Sequence, residues 1–147
     1  MNRAWTLSIA TVLAVQAAGC ASLAPRLASR PPACSDMTVQ IYFEPDSAEV
    51  TDEGRAVISA AAAQAKTCKV DRVNVLGLAD AAGAPQANLE LSQRRAAAVT
   101  RTLTAQGLPT AQFEEAAAGQ AGAVTASGDI RPLRRRVDVV LKLSAPR

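Results

Sequence analysis

Residues 77–96, GLADAAGAPQANLELSQRRA, constrain this chain more than any other segment, because they join an apolar strand to a helix in a defined phase. Asp80 follows the end of the strand. At about 100° per residue, Asn88, Ser92 and Arg95 then lie on one stripe of the helix. The same stripe carries Leu91, Val99 and Leu103, whereas Glu90, Gln93, Arg94, Arg101 and Thr104 point towards solvent. The segment therefore predicts a polar cluster on the inner face of a helix.

An arginine on an apolar face costs free energy unless an anion meets its guanidinium. Asp80 is the nearest candidate in sequence, so one interpretation is a structural ion pair between Asp80 and Arg95. In the other, both side chains face a pocket and grip a zwitterion, the carboxylate taking an ammonium and the guanidinium a carboxylate. Asn88 can orient such a ligand through its donor and acceptor, and it is also a good N-cap for the helix.

The alternation of apolar and polar residues predicts the other elements. Period-two alternation at both ends of the domain is typical of half-buried strands. Thr51, followed by two acidic residues, predicts the start of a helix, and Gly107 the end of a second one. We expect strands at residues 37–43, 70–78 and 137–143 and helices at residues 51–66 and 88–106.

Composition excludes several classes of function. With 147 residues and 49% hydrophobic content, the chain is long enough for one domain with its own core. It has no histidine, so a Ser-His or Cys-His nucleophile and a His-ligated metal are impossible. The three cysteines lack C-x-x-C spacing, aromatic content is 3% and the net charge is +3. Zinc sites and nucleic-acid binding are therefore not expected.

The first twenty residues predict export. Arg3 precedes an apolar run at residues 4–15 that is too short to span a membrane comfortably. The sequence A-A-G-C, ending at Cys20, resembles the bacterial lipobox, in which the cysteine is lipidated and becomes the mature N-terminus. Ordinary secretory cleavage and a retained anchor are the alternatives. Ala21, by resemblance to sorted lipoproteins, implies the outer membrane.

The chain divides into three parts on this basis. Residues 1–19 form a lipoprotein signal peptide, residues 20–35 the lipidated N-terminus with a Pro/Ala-rich tether, and residues 36–147 the folded domain. If residues 21–33 are extended at about 3.1 Å per residue, the tether reaches roughly 40 Å.

Three motifs, in order, resemble those of the OmpA-like peptidoglycan-binding domain family. The central family motif is matched at Asp80, Gly83, Asn88, Leu91, Ser92, Arg95 and Ala96. Residues 39–47, VQIYFEPDS, resemble the family's first strand and the F-D-x-x-S turn after it. Residues 131–137, RPLRRRV, resemble its closing R-x-x-N-R-R-V motif. The resemblance covers about residues 36–143.

This resemblance completes the predicted fold and adds a third strand at residues 113–118. Strand, helix, strand, helix and two more strands make an α/β chain, an α+β sandwich in which two helices pack on one face of a mixed four-stranded sheet.

The resemblance also implies a ligand, the diaminopimelate end of a peptidoglycan stem peptide. Asp80 would bind its ammonium and Arg95 its carboxylate, with Asn88 fixing the orientation. Asp46, in the turn after the first strand, would add a contact, and its alternative role is turn chemistry. In the closing motif Arg135 and Arg136 are candidates for the pocket, and Arg136 is preferred.

Two positions depart from the central family motif. Its His and Thr are Leu78 and Ala79 here, so an imidazole and a hydroxyl are missing. A lost hydrogen bond to a charged group costs about 1.5–3 kcal/mol. We therefore expect either a weaker site or one that recognises a different stem peptide.

The leading functional hypothesis is a binding module similar to the peptidoglycan-associated lipoproteins. It is lipid-anchored in the outer membrane, faces the periplasm, binds peptidoglycan non-covalently and tethers membrane to wall. The alternative is an envelope scaffold of the same fold whose partners are proteins. A wall glycosidase would need two carboxylates across a cleft, but Glu114 and Glu115 are adjacent and would point to opposite sides of a strand. We expect no catalytic residue, metal or cofactor.

Cys34 and Cys68 remain once Cys20 is lipidated. An exported chain meets an oxidising compartment, where an even pair of cysteines tends to close. Cys34 stands just before the first strand and Cys68 at the end of the antiparallel helix that follows, so both lie at one edge of the domain. We therefore expect a disulfide, and two buried thiols are the alternative.

Overall fold

The structure, a computed structural model, describes residues 34–129, 131 and 134–146. Its elements are β1 (Met37–Tyr42), α1 (Asp52–Ala65), β2 (Lys69–Gly77), α2 (Pro85–Ala105), a short 3-10 helix (Thr110–Gln112), β3 (Phe113–Ala117) and β4 (Arg136–Ser144). The predicted order of strands and helices is confirmed. No helix in these ranges is both long and apolar enough to cross a membrane. The predicted signal peptide, Cys20 and residues 21–33 of the tether lie outside the described residues.

The four strands form one mixed sheet in the order β1-β4-β2-β3. The last strand, β4, lies between β1 and β2 and is antiparallel to both, whereas β2 and β3 are parallel. The C-terminal ends of β1, β2 and β3 therefore lie at the same end of the sheet as the N-terminal end of β4. The three sequence motifs of the predicted site begin or end here.

The core lies between the two helices and one face of the sheet. Alternate strand residues, including Val73, Val75, Val137 and Val139, are fully buried and pack against the helices. From the helices, Ile58 of α1 and Val99 and Leu103 of α2 enter the same cluster. Since the remaining strand residues point to the other face, the helices cover a single face of the sheet, as predicted.

The first helix begins where the sequence predicted, whereas the second does not. Thr51 caps α1, and its Oγ1 accepts a hydrogen bond from the backbone N–H of Gly54 at 3.1 Å. The second helix begins at Pro85, after an N-cap residue, Ala84, that offers no side-chain bond. Asn88 is thus inside the helix, and its predicted role as N-cap is wrong. Proline is well suited to a first helical position because the N–H it lacks would have no partner there.

A glycine sets how closely α2 approaches the sheet. A Cβ added to Gly77, at the end of β2, would lie 2.0 Å from the backbone oxygen of Ser92. Only glycine lets the two backbones come this close. The contact fixes the part of α2 that carries Ser92 and Arg95 against the end of β2, three residues before Asp80.

The structure joins Cys34 and Cys68 through a disulfide, with their Cα atoms 5.7 Å apart. Cys34 precedes β1 and Cys68 follows α1, so the pair ties the start of the sheet to the end of the first helix. The two cysteines thus lie close together, as predicted. That they form a disulfide in the exported protein stays a prediction.

Candidate functional site

Arg95 forms the base of the site. Its side chain is 0% exposed, and it donates three hydrogen bonds to backbone carbonyls. The acceptors are the oxygens of Ser47 at 2.7 Å from Nε, of Glu44 at 3.0 Å from Nη2 and of Leu78 at 3.2 Å from Nη1. The guanidinium carbon also lies 5.2 Å from the ring centroid of Phe43. Arg95 therefore connects the turn after β1 to the end of β2.

The buried position of Arg95 also has an electrostatic consequence. Burial lowers the pKa of its guanidinium. The negative charges of Asp80 and Asp46 oppose that shift, and the positive charge of Arg135 adds to it. Arg95 bonds to carbonyls on both sides of Asp46 and to that of Leu78, two residues before Asp80, so both carboxylates lie on segments that it holds. We call Asp46, Asp80, Arg95 and Arg135 the Asp80 cluster. It contains two acidic and two basic side chains, so its formal charges balance.

Asp80 pairs with Arg135 and not with Arg95. Its Oδ2 accepts a hydrogen bond from Nη1 of Arg135 at 3.1 Å, and its Oδ1 accepts one from the backbone N–H of Ala82 at 3.2 Å. The side chains of Asp80 and Arg135 are 16% and 29% exposed, so both reach solvent, unlike Arg95. The sequence suggested an ion pair between Asp80 and Arg95, but the partner of Asp80 in the structure is Arg135.

The three consecutive arginines of the closing motif diverge. Arg134 donates to the backbone oxygen of Ala121, and burial lowers its pKa. Arg136 faces the open side of the sheet, where its Nε donates to Oδ1 of Asp138 at 2.6 Å; this bond raises its pKa. The preference for Arg136 at the pocket is thus not supported by its position. Arg135 reaches the Asp80 cluster instead.

The sequence did contain a signal for Arg135. The buried residues of β4 are Val137, Val139, Leu141 and Leu143. Side chains two apart in a strand share a face, so continuing that alternation backwards puts Arg135 on the helix side. The same argument puts Arg136 on the opposite side.

Asn88 and Ser92 attach α2 to the loop after β3. The Nδ2 of Asn88 donates to Oε1 of Gln120 at 2.7 Å, and the Oγ of Ser92 accepts from the backbone N–H of Gly119 at 3.1 Å. Both side chains are buried. The helical phase predicted their inward direction, but their partners are 32 and 27 residues away in sequence, respectively.

Asp46 lies in the exposed turn between β1 and α1. Its φ is 55°, the left-handed region that an aspartate tolerates better than most residues. The two carbonyls that flank it, those of Glu44 and Ser47, are the acceptors for Arg95. The buried arginine thus holds a strained turn, and that turn carries a carboxylate at the edge of the site.

The two positions where this chain departs from the central family motif, Leu78 and Ala79, are apolar and buried. The backbone N–H of Leu78 donates to the oxygen of Arg136 at 2.9 Å, and that of Ala79 donates to the oxygen of Gly119 at 2.8 Å. These residues support the edge of the site through their backbones, and their side chains add no polar group.

The Asp80 cluster thus presents a carboxylate and a guanidinium side by side at the surface, above a buried cation. Such a pair suits a ligand that carries an ammonium and a carboxylate close together. The described residues contain no cluster of three or more His, Cys, Asp or Glu side chains that could hold a metal ion.

Comparison with known proteins gives consistent matches. Outer membrane protein A of Bordetella avium is 27% identical over 103 residues, which cover 67% of this chain and 53% of that protein. The probable lipoprotein YiaD of Escherichia coli strain K12 is 29% identical over 110 residues, which cover 72% of this chain and 49% of that protein. The chain therefore spans about half the length of these two curated relatives.

A solved structure shares the fold. The peptidoglycan-associated lipoprotein from Burkholderia pseudomallei aligns with a TM-score of 0.58 and 28% identity, covering 71% of this chain and 89% of that one. The OmpA family matches residues 42–135, a range that includes Asp46, Asp80, Arg95 and Arg135. Because that range is more than half of the sequence, the chain belongs to the OmpA family.

Proposed function

We propose that this chain is a non-enzymatic outer-membrane lipoprotein whose domain binds peptidoglycan non-covalently and so tethers the outer membrane to the cell wall. The observation that carries the proposal is the surface pair of Asp80 and Arg135 above the buried Arg95. Membership of the OmpA family and the likeness to a peptidoglycan-associated lipoprotein support this class of ligand.

The proposed ligand group is the side-chain end of diaminopimelate in a stem peptide, where one carbon carries both an ammonium and a carboxylate. Asp80 would accept from the ammonium, and Arg135 would donate to the carboxylate. Their mutual contact at 3.1 Å would then be exchanged for two contacts to the ligand. Because each charge keeps a partner, the exchange avoids leaving an unpaired charge in a partly buried site.

Arg95 supports the proposed site without contacting the ligand. The sequence suggested a direct bond to the ligand carboxylate, but the side chain is 0% exposed and is bonded to three carbonyls. We propose that it holds the Asp46 turn and the end of β2 in place and adds positive potential. Asp46 would contribute a further contact at the edge, and Asn88 would hold the adjoining loop through Gln120.

The proposed location follows from the N-terminal segment. Lipidation at Cys20 would anchor the chain in the outer membrane, with the domain in the periplasm at the end of the tether. The A-A-G-C sequence supports this anchor, and so do two relatives that are named as lipoproteins.

One observation favours a second candidate, an envelope scaffold with a protein partner. Leu78 and Ala79 leave the site with fewer polar groups than the family motif provides. Co-sedimentation of the purified chain with isolated sacculi separates the two functions. Peptidoglycan binding predicts that the chain enters the pellet, whereas a scaffold stays in the supernatant. Release of soluble muropeptides during the same incubation would contradict a non-enzymatic role.

Binding assays with muropeptides test the chemistry of the ligand. Stem peptides with diaminopimelate at the third position should bind, while otherwise identical peptides with lysine there lack the carboxylate that Arg135 would meet. Loss of one charged hydrogen bond corresponds to roughly ten- to a hundredfold in affinity. Equal binding of both peptides would contradict the proposed contact.

A further inference from the structure

The two edges of the sheet differ in how they are protected. The strands β1 and β3 are the outer strands. β3, FEEAA, carries Glu114 and Glu115, and charges of this kind discourage pairing with another strand. β1, MTVQIY, has six residues and contains neither a charge nor a proline. An unprotected edge of this length can accept another strand.

Hydrogen bonding shows which backbone groups of β1 point outward. The N–H of Phe43 donates to the oxygen of Arg135 at 2.9 Å, so this is a hydrogen-bonded pair of the antiparallel ladder. Such pairs alternate along the strands. The register then turns the N–H and C=O groups of Thr38, Gln40 and Tyr42 away from β4. Among the described residues, no strand pairs with that side of β1.

A shallow groove runs beside this edge, between β1 and the first turns of α1. Its lining residues are Gln40, Ile41, Tyr42, Thr51, Glu53, Gly54 and Val57. Tyr42 and Val57 are 44% and 40% exposed, although both are large and largely apolar. An exposed strand edge next to a helix is the arrangement in which some domains take up an extended peptide as an additional strand.

The charge around the groove indicates what kind of peptide fits. Apart from Asp46 of the Asp80 cluster, residues 44–53 contain four acidic side chains and no basic one. Glu53 lines the groove, and Asp52 beside it is highly exposed, although it pairs with Arg55 at 2.6 Å. The basic side chains nearby, Arg55 and Arg136, each pair with an aspartate. Glu53 therefore gives the groove a negative charge that a cationic segment complements.

We propose that the outer edge of β1 is a docking site for an extended cationic segment of a partner protein, which adds to the sheet as a fifth strand. Its backbone would pair with Thr38, Gln40 and Tyr42. An apolar side chain would enter the groove near Val57, and a basic one would lie near Glu53. This interaction is separate from the proposed binding of peptidoglycan, because it uses none of the residues of the Asp80 cluster.

Amide hydrogen exchange tests the proposal, read residue by residue by NMR on the full chain in detergent micelles. The probe is a synthetic seven-residue peptide of alternating lysine and valine, and the matched control replaces lysine with glutamate. We expect the lysine peptide to slow exchange at Thr38, Gln40 and Tyr42, and the glutamate peptide to have no effect. Equal protection by both peptides, or by neither, would overturn the proposal. Protection of these amides without any peptide would also overturn it, since another part of the chain or a second copy would then cover the edge.

Two pairs of variants locate the contact. Gln40→Pro removes one outward N–H at an edge position where proline is tolerated, and Gln40→Ala keeps that N–H. We expect peptide affinity to fall about two- to tenfold in the first and to be unchanged in the second. Glu53→Gln leaves the helix intact and should weaken binding about two- to fivefold, whereas Glu114→Gln on the other edge should not. All four variants should bind sacculi as the unmodified chain does, and equal peptide affinity across the set would contradict docking at β1.

Discussion

The carboxylate of Asp80 and the guanidinium of Arg135, 55 residues apart in sequence, meet at 3.1 Å where β2 ends and β4 begins. The contact depends on the sheet order, because β4 lies directly beside β2 and runs antiparallel to it. It brings opposite charges from two distant motifs to one surface. The proposed ligand site consists of this pair and the buried arginine beneath it.

Arg95→Ala should reduce stability, and not only ligand binding. The change removes the donor to the carbonyl of Leu78, which is buried, and the donors to the carbonyls of Glu44 and Ser47, which are part-buried. A buried group left without a partner costs about 1–3 kcal/mol, so we expect a loss of about this size in the free energy of unfolding. Urea denaturation measures it.

Arg94→Ala is the matched control for this change. Arg94 is the preceding residue on α2 and is exposed, so its removal should alter stability by less than about 0.5 kcal/mol. If Arg94→Ala were the more damaging of the two changes, the assigned phase of α2 would be wrong.

Cys34 and Cys68 should form a disulfide in the exported protein. Their separation of 34 residues in sequence gives a stabilisation of about 3–4 kcal/mol in the chain-entropy model. A thiol titration of the denatured, unreduced mature protein should find neither thiol free. Two titratable thiols per chain would refute the disulfide.

Cys20 should carry the lipid anchor. Cys20→Ser should leave the protein either soluble in the periplasm or retained as an unprocessed precursor. Labelling of cells with radioactive palmitate measures the modification directly. If the serine variant were labelled as strongly as the unmodified chain, lipidation at this position would be excluded.

Local patterns predicted most of the fold. The alternation in residues 37–43 and 137–143 correctly identified the strands β1 and β4, and Thr51 correctly marked the start of α1. The start of α2 was missed because Ala84 has no capping side chain, while Asn88, a strong capping residue, lies inside the helix. The capping preference of asparagine favours a helix start at Asn88, but the helix begins at Pro85.

The candidate site was predicted only in part because its contacts are long-range. Helical phase correctly put Arg95 on the inner face of α2. Its acceptors are backbone carbonyls, which have the same chemistry at every position, so the sequence cannot indicate them. The pairing of Asp80 with Arg135 depends on the order of strands, and only the alternation in β4 gave a hint of it.

The affinity of the chain for a muropeptide that contains diaminopimelate, measured by calorimetry for Asp80→Asn and Arg135→Gln, tests the central claim most directly. Both changes remove the charge of the side chain; Asp80→Asn also keeps its size, whereas Arg135→Gln shortens it. We predict that each weakens binding roughly ten- to a hundredfold, and that Arg94→Ala binds as the unmodified chain does. Unchanged affinity in Asp80→Asn, in a protein that remains folded, would contradict the proposed site.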